Sequence, residues 1–406
     1  MASTVRVEFT GSQGDALAAR MEWPAGTPLG YAIFAHCFSC SKDIFAANRI
    51  ARQLAGHGYA VLRFDFTGLG HSEGDFANTN FSSNIDDLVA AARFLENEYE
   101  APSLLIGHSL GGAAVIAAAS ALPSVKAIAT LGAPSDAEHV KHQFIDRVEE
   151  IEREGVAEVS LGGRPFTIRK HLLEDIQGHT LENALASLRR PLLIAHSPVD
   201  ATVGIDNASR LFLAAKHPKS FVSLDGADHL LSREEDAVFA ADMIASWAGK
   251  YLAAPARRAP PRAKPNTVVV SETGAGKYEN WVVANGHVSL AGEPPAVGGT
   301  GNGPTPYELL SASLGTCTSM TLRMYADRKG WPIDDILVEV IHAKDHAEDC
   351  ETCVEGRDVK VDIFERTIRV KGNLNAEQHG RLLEIADKCP VHKSLHSSVV
   401  VRTKLA

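Results

Sequence analysis

The stretch LLIGHSLGG, Leu104–Gly112, decides how the first half of the chain folds. An apolar run, LLI, leads into Gly107-His108-Ser109-Leu110-Gly111, and Gly112 and Ala113 follow. A short apolar run bounded by glycine reads as a buried parallel strand. Small residues after it let a helix start hard against the sheet. Glycines on both sides of a serine suit a sharp strand-to-helix turn that brings backbones close and strains the central residue. Ser109 is therefore the candidate nucleophile.

Working outward, the same alternation continues. VRVEF and ALAARMEW read as antiparallel strands joined by a Gly-Asp turn. YAIFAHC, YAVLRFDF, SLLIGH and VKAIATLG read as strands, separated by helices over Lys42–His57, Asn84–Glu98 and Leu110–Ala121. The pattern lapses over Asp136–Arg190. A charged helix, EHVKHQFIDRVEEIERE, and a hairpin, EVSLGGRPFTI, suggest an inserted cap there. Alternation resumes with PLLIAHS, a helix over Ile205–Lys216, KSFVSLDG, and a helix over Ser232–Leu252. Strand–helix alternation predicts an α/β fold, a mostly parallel sheet with helices on both faces.

A serine hydroxyl needs a base, and the base needs a carboxylate to orient it. In an α/β sheet both belong on loops at the carboxyl ends of later strands. Asp200, in SPVDATV after LLIAH, is the candidate carboxylate, and His229, after FVSLDGAD, the candidate base. Asp225 and Asp228 share the loop of His229 and are poorly placed to orient its ring. His196 ends a strand and reads as a loop-shaping residue. The order Ser, Asp, His belongs to hydrolases.

The chain has 406 residues, which predicts two or three domains. A formal charge of −10 gives no push toward nucleic acid or an anionic membrane. No run of about 18 apolar residues and no cationic, apolar leader is visible, so a soluble, cytoplasmic protein is expected. Six cysteines are too sparse for a disulfide scaffold. AAPARRAPPRAKPN, 253–266, is rich in Pro, Ala and Arg and reads as a linker. It separates an expected domain at 1–252, with its cap at about 136–190, from a second at 267–406.

The second domain changes order. Strands TVVVSE and NWVVANGHVSLAG precede a long helix over Thr305–Lys329. Strands ILVEVIHAKD and DVKVDIFERTIRVKG, a helix over Ala376–Lys388 and a last strand, SSVVVRT, complete an α+β pattern. Thr305, Pro306 and Glu308 form a capping box at the start of the long helix. Cys317 lies about three turns in, beyond the reach of the helix dipole. Cys389 precedes Pro390, which is expected to end the last helix, and a helix C-terminus disfavours thiolate.

Residues 1 to about 252 resemble the α/β-hydrolase superfamily in its esterase and lipase-like branch. The turn at Ser109, FDFTGLGHSEG (Phe64–Gly74) and AHCFSC (Ala35–Cys40) carry the resemblance. It implies a serine esterase acting on small to medium carboxylic esters through an acyl-enzyme. An oxyanion hole would use the backbone N–H groups of Phe38 and Leu110. Cys37 replaces the family's glycine there. With Cys40 it makes a C-x-x-C, read as small buried thiols or as a redox or metal pair. GPTPYELLSASLGTCTSMTLRMYADRKGW and CPVHKSL resemble the OsmC family of thiol-dependent peroxidases. That implies an intertwined homodimer in which Cys317 attacks an organic hydroperoxide, Cys389 resolves the sulfenic acid, and an external thiol reduces the disulfide. Active family members use an arginine from the N-terminal strands. No arginine lies between Arg262 and Arg323, so Lys277 is the available cation and Glu308 the available helper carboxylate. HAKDHAEDCETC places His342, His346, Cys350 and Cys353 at spacings open to zinc, to a disulfide, or to a plain solvated loop. No cofactor or metal is expected. A bifunctional enzyme and an esterase with a purely dimerising or ligand-binding second domain both remain open.

Overall fold

A computed structural model describes residues 3–179, 181–252, 257–346 and 360–405. The chain divides into two compact units, Met1–Arg257 and Arg258–Ala406.

The first unit is built on β1 (Ser3–Thr10), β2 (Ala16–Trp23), β3 (Gly30–Ala35), β4 (Tyr59–Phe64), β5 (Leu104–His108) and β6 (Ala127–Leu131). Helices α1 (Phe45–Gly56), α2 (Phe81–Glu98) and α3 (Leu110–Ala118) connect them. The cap contributes α4 (Val148–Glu154), β7 (Val156–Leu161), β8 (Arg164–Arg169), α5 (Lys170–Gly178) and α6 (Leu181–Ser187). β9 (Leu192–His196), α7 (Asp206–Ala214), β10 (Lys219–Ser223) and α8 (Glu234–Ala248) follow. The main sheet has the order β1-β2-β4-β3-β5-β6-β9-β10. Pairings from β4 to β10 are parallel, whereas β2 runs antiparallel to both β1 and β4.

Side chains alternate across the central strands. Ala32 and Phe34 of β3 pack with α1 and α8, while Ile33 packs with α2, α3 and the cap. Both faces are therefore covered, which is why these strands read as unbroken apolar runs. β7 and β8 form a separate hairpin whose turn residues, Gly162 and Gly163, have φ of 57° and 79°. A two-residue turn with both φ positive demands residues without a Cβ penalty, and Gly-Gly supplies them.

The expected charged helix of the cap is instead a 3-10 segment, Ala137–Arg147, followed by α4. The backbone leaves helical angles at Phe144 (φ −144°, ψ 35°), whose ring is buried beside Phe38. Helices α5 and α6 carry no signal strong enough for the sequence reading to place them.

The second unit holds β11 (Val268–Glu272), β12 (Asn280–Ala284) and β13 (His287–Ala291) in an antiparallel meander. Helix α9 (Pro306–Lys329) follows, then the ribbon of β14 (Ile333–His346) and β15 (Lys360–Gly372), α10 (Ala376–Ala386) and α11 (Pro390–Leu395). Its core is small and centres on Leu322, Ala326, Ile333, Leu382, Ile385 and Ala386. Met320 and Met324 of α9 are 65% and 73% exposed.

The expected last strand, SSVVVRT, is corrected. Residues 398–405 carry no regular structure, and Val399, Val400 and Val401 are exposed. β-branched composition favours a strand only where a partner edge exists. α11 was also not expected. Pro390 ends α10 as the sequence suggests, but it then occupies the first position of a new helix.

Candidate active site

β5 delivers Ser109 into a strained turn, with φ 55° and ψ −127°. A Cβ on Gly107 would stand 2.3 Å from the carbonyl oxygen of Gly111, and one on Gly111 would stand 2.4 Å from that of Ala35. Both positions therefore need glycine. His229 Nε2 lies 3.0 Å from Ser109 Oγ, and its Nδ1 lies 2.7 Å from Asp200 Oδ2. The other carboxylate oxygen of Asp200 accepts from the N–H groups of Thr202 and Val203 at 2.9 and 2.8 Å. Burial pushes the Asp200 carboxyl up, but the His229 ring and those two N–H groups outweigh it. The balance lies below the ordinary value, so Asp200 is a carboxylate.

The rivals are otherwise engaged. Asp225 accepts from Ser223, and Asp228 accepts from the backbone and hydroxyl of Ser232. His196 Nε2 donates to the carbonyl of Val203 at 2.8 Å, inside the loop that carries Asp200.

His108 is a supporting residue that the sequence reading passed over. Its Nε2 donates to the carbonyl of His229 at 2.7 Å, tying the backbone of that residue to the turn. Burial, and then the nearby His229 ring, lower its pKa from 6.5 to about 4. The fold thus holds His108 neutral. Its stabilising share is complete above pH 6.5 and is lost as pH falls toward 4, because the unfolded chain binds the proton first. Over that window the wild type should lose about 3 kcal/mol more than His108→Gln, by urea denaturation at stepped pH. Parallel pH dependence in the two proteins would show that the ring is not held neutral.

Phe38 sits on a loop tethered at several points. His36 Nδ1 donates to the carbonyl of Cys37 at 2.7 Å, and Arg164 of the cap donates to that of Ser39. At the loop's end, the Lys42 backbone N–H and ammonium reach the two oxygens of Asp65, the ammonium at 2.6 Å. Cys37 and Cys40 are joined as a disulfide, which corrects the reading of them as thiols. No carbonyl or side chain among the described residues accepts from the N–H of Phe38 or Leu110. Asp65 is fully buried and Lys42 nearly so. Lys42→Met would strand the carboxylate, with an expected loss of about 3–5 kcal/mol in chemical denaturation. A loss below about 1 kcal/mol would mean that the backbone N–H groups of Lys42 and His71, which also donate to Asp65, satisfy the carboxylate without the ammonium.

In the second unit, Cys317 is half-buried and Cys389 fully buried. Cys389 is not governed by the end of α10. It caps α11, its sulfur accepting from the N–H of His392 at 3.3 Å. Burial pushes its thiol up, but the His392 N–H, the hydroxyl of Thr318, the thiol of Cys317 and the charge of Arg366 pull it down. The net direction is down, the reverse of the sequence expectation.

Among the described residues the cation beside Cys389 is Arg366. Lys277 is exposed on the turn between β11 and β12, and no hydrogen bond or ion pair joins it to either cysteine among the described residues. Arg366 falls on the same face of β15 as Ile368 and Val370, which pack on the small core. A charged residue at an inward register position was the available signal. Glu308 is occupied by the capping box, its carboxylate accepting from the Thr305 N–H at 2.7 Å. His342 stacks on Tyr307 and bonds Asp362. Cys350 and Cys353 lie outside the described residues, as does the side chain of His346. Among the described residues no group of three or more His, Cys, Asp or Glu could hold a metal. No helix there is long and apolar enough to cross a membrane.

Comparison with known proteins agrees with this division. The model of the alpha/beta hydrolase family matches residues 32–242, and that of OsmC-like protein matches residues 299–404. The chain belongs to the alpha/beta hydrolase family and carries an OsmC-like domain at its C-terminal end. The crystal structure of the esterase domain from a Rhodothermus marinus protein is 48% identical. It matches 62% of this chain and all of that one, with a TM-score of 0.52. Palmitoyl-protein thioesterase ABHD10, mitochondrial, is 30% identical in Rattus norvegicus and 29% in Mus musculus, over 155 residues and 36% of this chain. The chain spans about half the length of these curated relatives.

Proposed function

We propose that the first domain is a serine esterase in which Ser109, His229 and Asp200 act as nucleophile, base and orienting carboxylate. The observation that carries this is the unbroken hydrogen-bonded line from Asp200 through His229 to Ser109. His229 takes the hydroxyl proton as Ser109 attacks a carboxylic ester. The alkoxide that develops on the carbonyl oxygen is met by the N–H groups of Phe38 and Leu110, each worth about 3–4 kcal/mol to the transition state. His229 returns the proton to the leaving alcohol, and water then cleaves the acyl-serine by the same route. The esterase domain of Rhodothermus marinus supports an ester substrate. Thioesters, the substrates named for the mammalian relatives, follow the same acyl path.

The OsmC-like domain is assigned a second activity, reduction of organic hydroperoxides by Cys317 and Cys389. Cys317 thiolate attacks the terminal peroxide oxygen; the O–O bond breaks, Cys317 becomes a sulfenic acid, and the departing alkoxide takes a proton from water and leaves as an alcohol. Cys389 condenses with the sulfenic acid, releasing water, and an external dithiol returns the pair to thiols. The half-buried position of Cys317, against the full burial of Cys389, supports this division of roles. A homodimer through this domain accords with the exposed methionines of α9. A cytoplasmic location would supply the reductant. The alternative, a domain that only dimerises or binds a ligand, separates in one experiment. Ser109→Ala and Cys317→Ser proteins are each assayed with a nitrophenyl ester and with cumene hydroperoxide plus dithiothreitol. Ester turnover without any Cys317-dependent peroxide consumption selects the alternative.

A further inference from the structure

Two donors converge on Cys389 Sγ, the His392 N–H at 3.3 Å and the Thr318 hydroxyl at 3.7 Å. Behind Thr318 stands Arg366. Its Nη1 donates to Thr318 Oγ1 at 2.8 Å and to the carbonyl of Ala386 at 3.2 Å, while Nη2 holds Asp387 at 2.8 Å. The Arg366 side chain is 11% exposed and Thr318 is fully buried.

The protons settle the direction of this chain. Arg366 has only N–H groups to give, so the Thr318 oxygen accepts from it. Thr318 must then direct its own single proton elsewhere. Two acceptors lie in reach, the Leu314 carbonyl at 2.8 Å and Cys389 Sγ. A thiolate is the stronger acceptor, so charge on Cys389 draws the hydroxyl proton toward sulfur. A hydroxyl polarised by a guanidinium is a better donor to an anion than an isolated one. Among the described residues no comparable arrangement reaches Cys317, which is the less buried of the two.

The geometry points to Arg366 as a positioning residue that, through Thr318, makes Cys389 the sulfur that leaves when the Cys317–Cys389 disulfide is reduced, and so directs an external thiol to Cys317. This rests on the two-cysteine reading above. An incoming thiolate forms a bond to Cys317 Sγ. The Cys317–Cys389 bond breaks, and its electron pair stays on Cys389 as a thiolate. With a dithiol, the second thiolate then attacks the incoming sulfur and releases Cys317 thiolate. The dithiol loses two electrons and closes to a cyclic disulfide, and the protein disulfide gains them. Exchange runs faster when the leaving thiol has the lower pKa.

The test uses the full chain, oxidised with diamide so that no peroxide turnover is required. The disulfide is exposed to glutathione, quenched by alkylation and mapped by mass spectrometry. Glutathione should be found on Cys317, with Cys389 alkylated. In Arg366→Met and in Thr318→Val, that preference should be lost and reduction by dithiothreitol should slow by about tenfold or more. Arg366→Lys should recover part of the rate, since it restores charge without the planar fork. Melting curves report whether each variant is folded, and the wild-type adduct position is decisive without them. Glutathione on Cys389 in the wild type overturns the inference. So does a preference and rate unchanged in both variants, or failure of diamide to join the two cysteines. The expected adducts with no consumption of cumene hydroperoxide would leave this inference standing and defeat the peroxidase reading alone.

Discussion

Ser109→Ala should lower kcat for nitrophenyl acyl esters by about 10⁵- to 10⁶-fold while leaving KM within a few-fold of wild type. That fall corresponds to roughly 7–8 kcal/mol of transition-state stabilisation. It is this large because the three groups act as a unit. Without the hydroxyl, His229 has no proton to take and Asp200 orients a ring with nothing to do. What survives is the stabilisation from the Phe38 and Leu110 N–H groups and from substrate binding. KM is set by contacts outside the triad, so it should barely move. A fall of less than about tenfold would place ester hydrolysis somewhere other than Ser109. Hydroperoxide consumption by the same variant should be unchanged, since none of its chemistry uses the first domain.

The converse substitution, Cys317→Ser, should bring hydroperoxide consumption down to the uncatalysed rate and leave ester turnover intact. The reason is chemical rather than geometric. A thiolate is the species that attacks the peroxide bond, and a serine hydroxyl is not appreciably ionised in water near neutrality. Cys389→Ser differs in kind. The first oxidation at Cys317 would still proceed once, so a stoichiometric burst should appear and then stop. Equal steady turnover of peroxide by wild type and Cys317→Ser would end the proposal for this domain.

The first site is legible in the sequence because each part is a short local pattern placed by topology. Ser109 is announced by the strand, the flanking glycines and the small residues of α3 within nine positions, Leu104–Gly112. Asp200 and His229 follow from chain order once the later strands are located. What the sequence conceals is determined by packing between distant segments. Arg366 lies far along the chain from both Thr318 and the N-terminal strands where a cation was sought, so no spacing rule finds it. The pairing of Cys37 with Cys40 is invisible because C-x-x-C reads equally well as two thiols. The valines at 399–401 mislead for the opposite reason. Their composition favours a strand, but strand formation depends on an edge that composition does not reveal.

Gly107 and Gly111 take no part in any bond-making step, yet each leaves no room for even one extra carbon. Inactivating lesions in this molecule should therefore reach beyond the atoms that react. A methyl group at either position would displace the hydroxyl from the imidazole without altering charge, polarity or any functional group. The hydrolytic machinery is as vulnerable to crowding as to loss of chemistry.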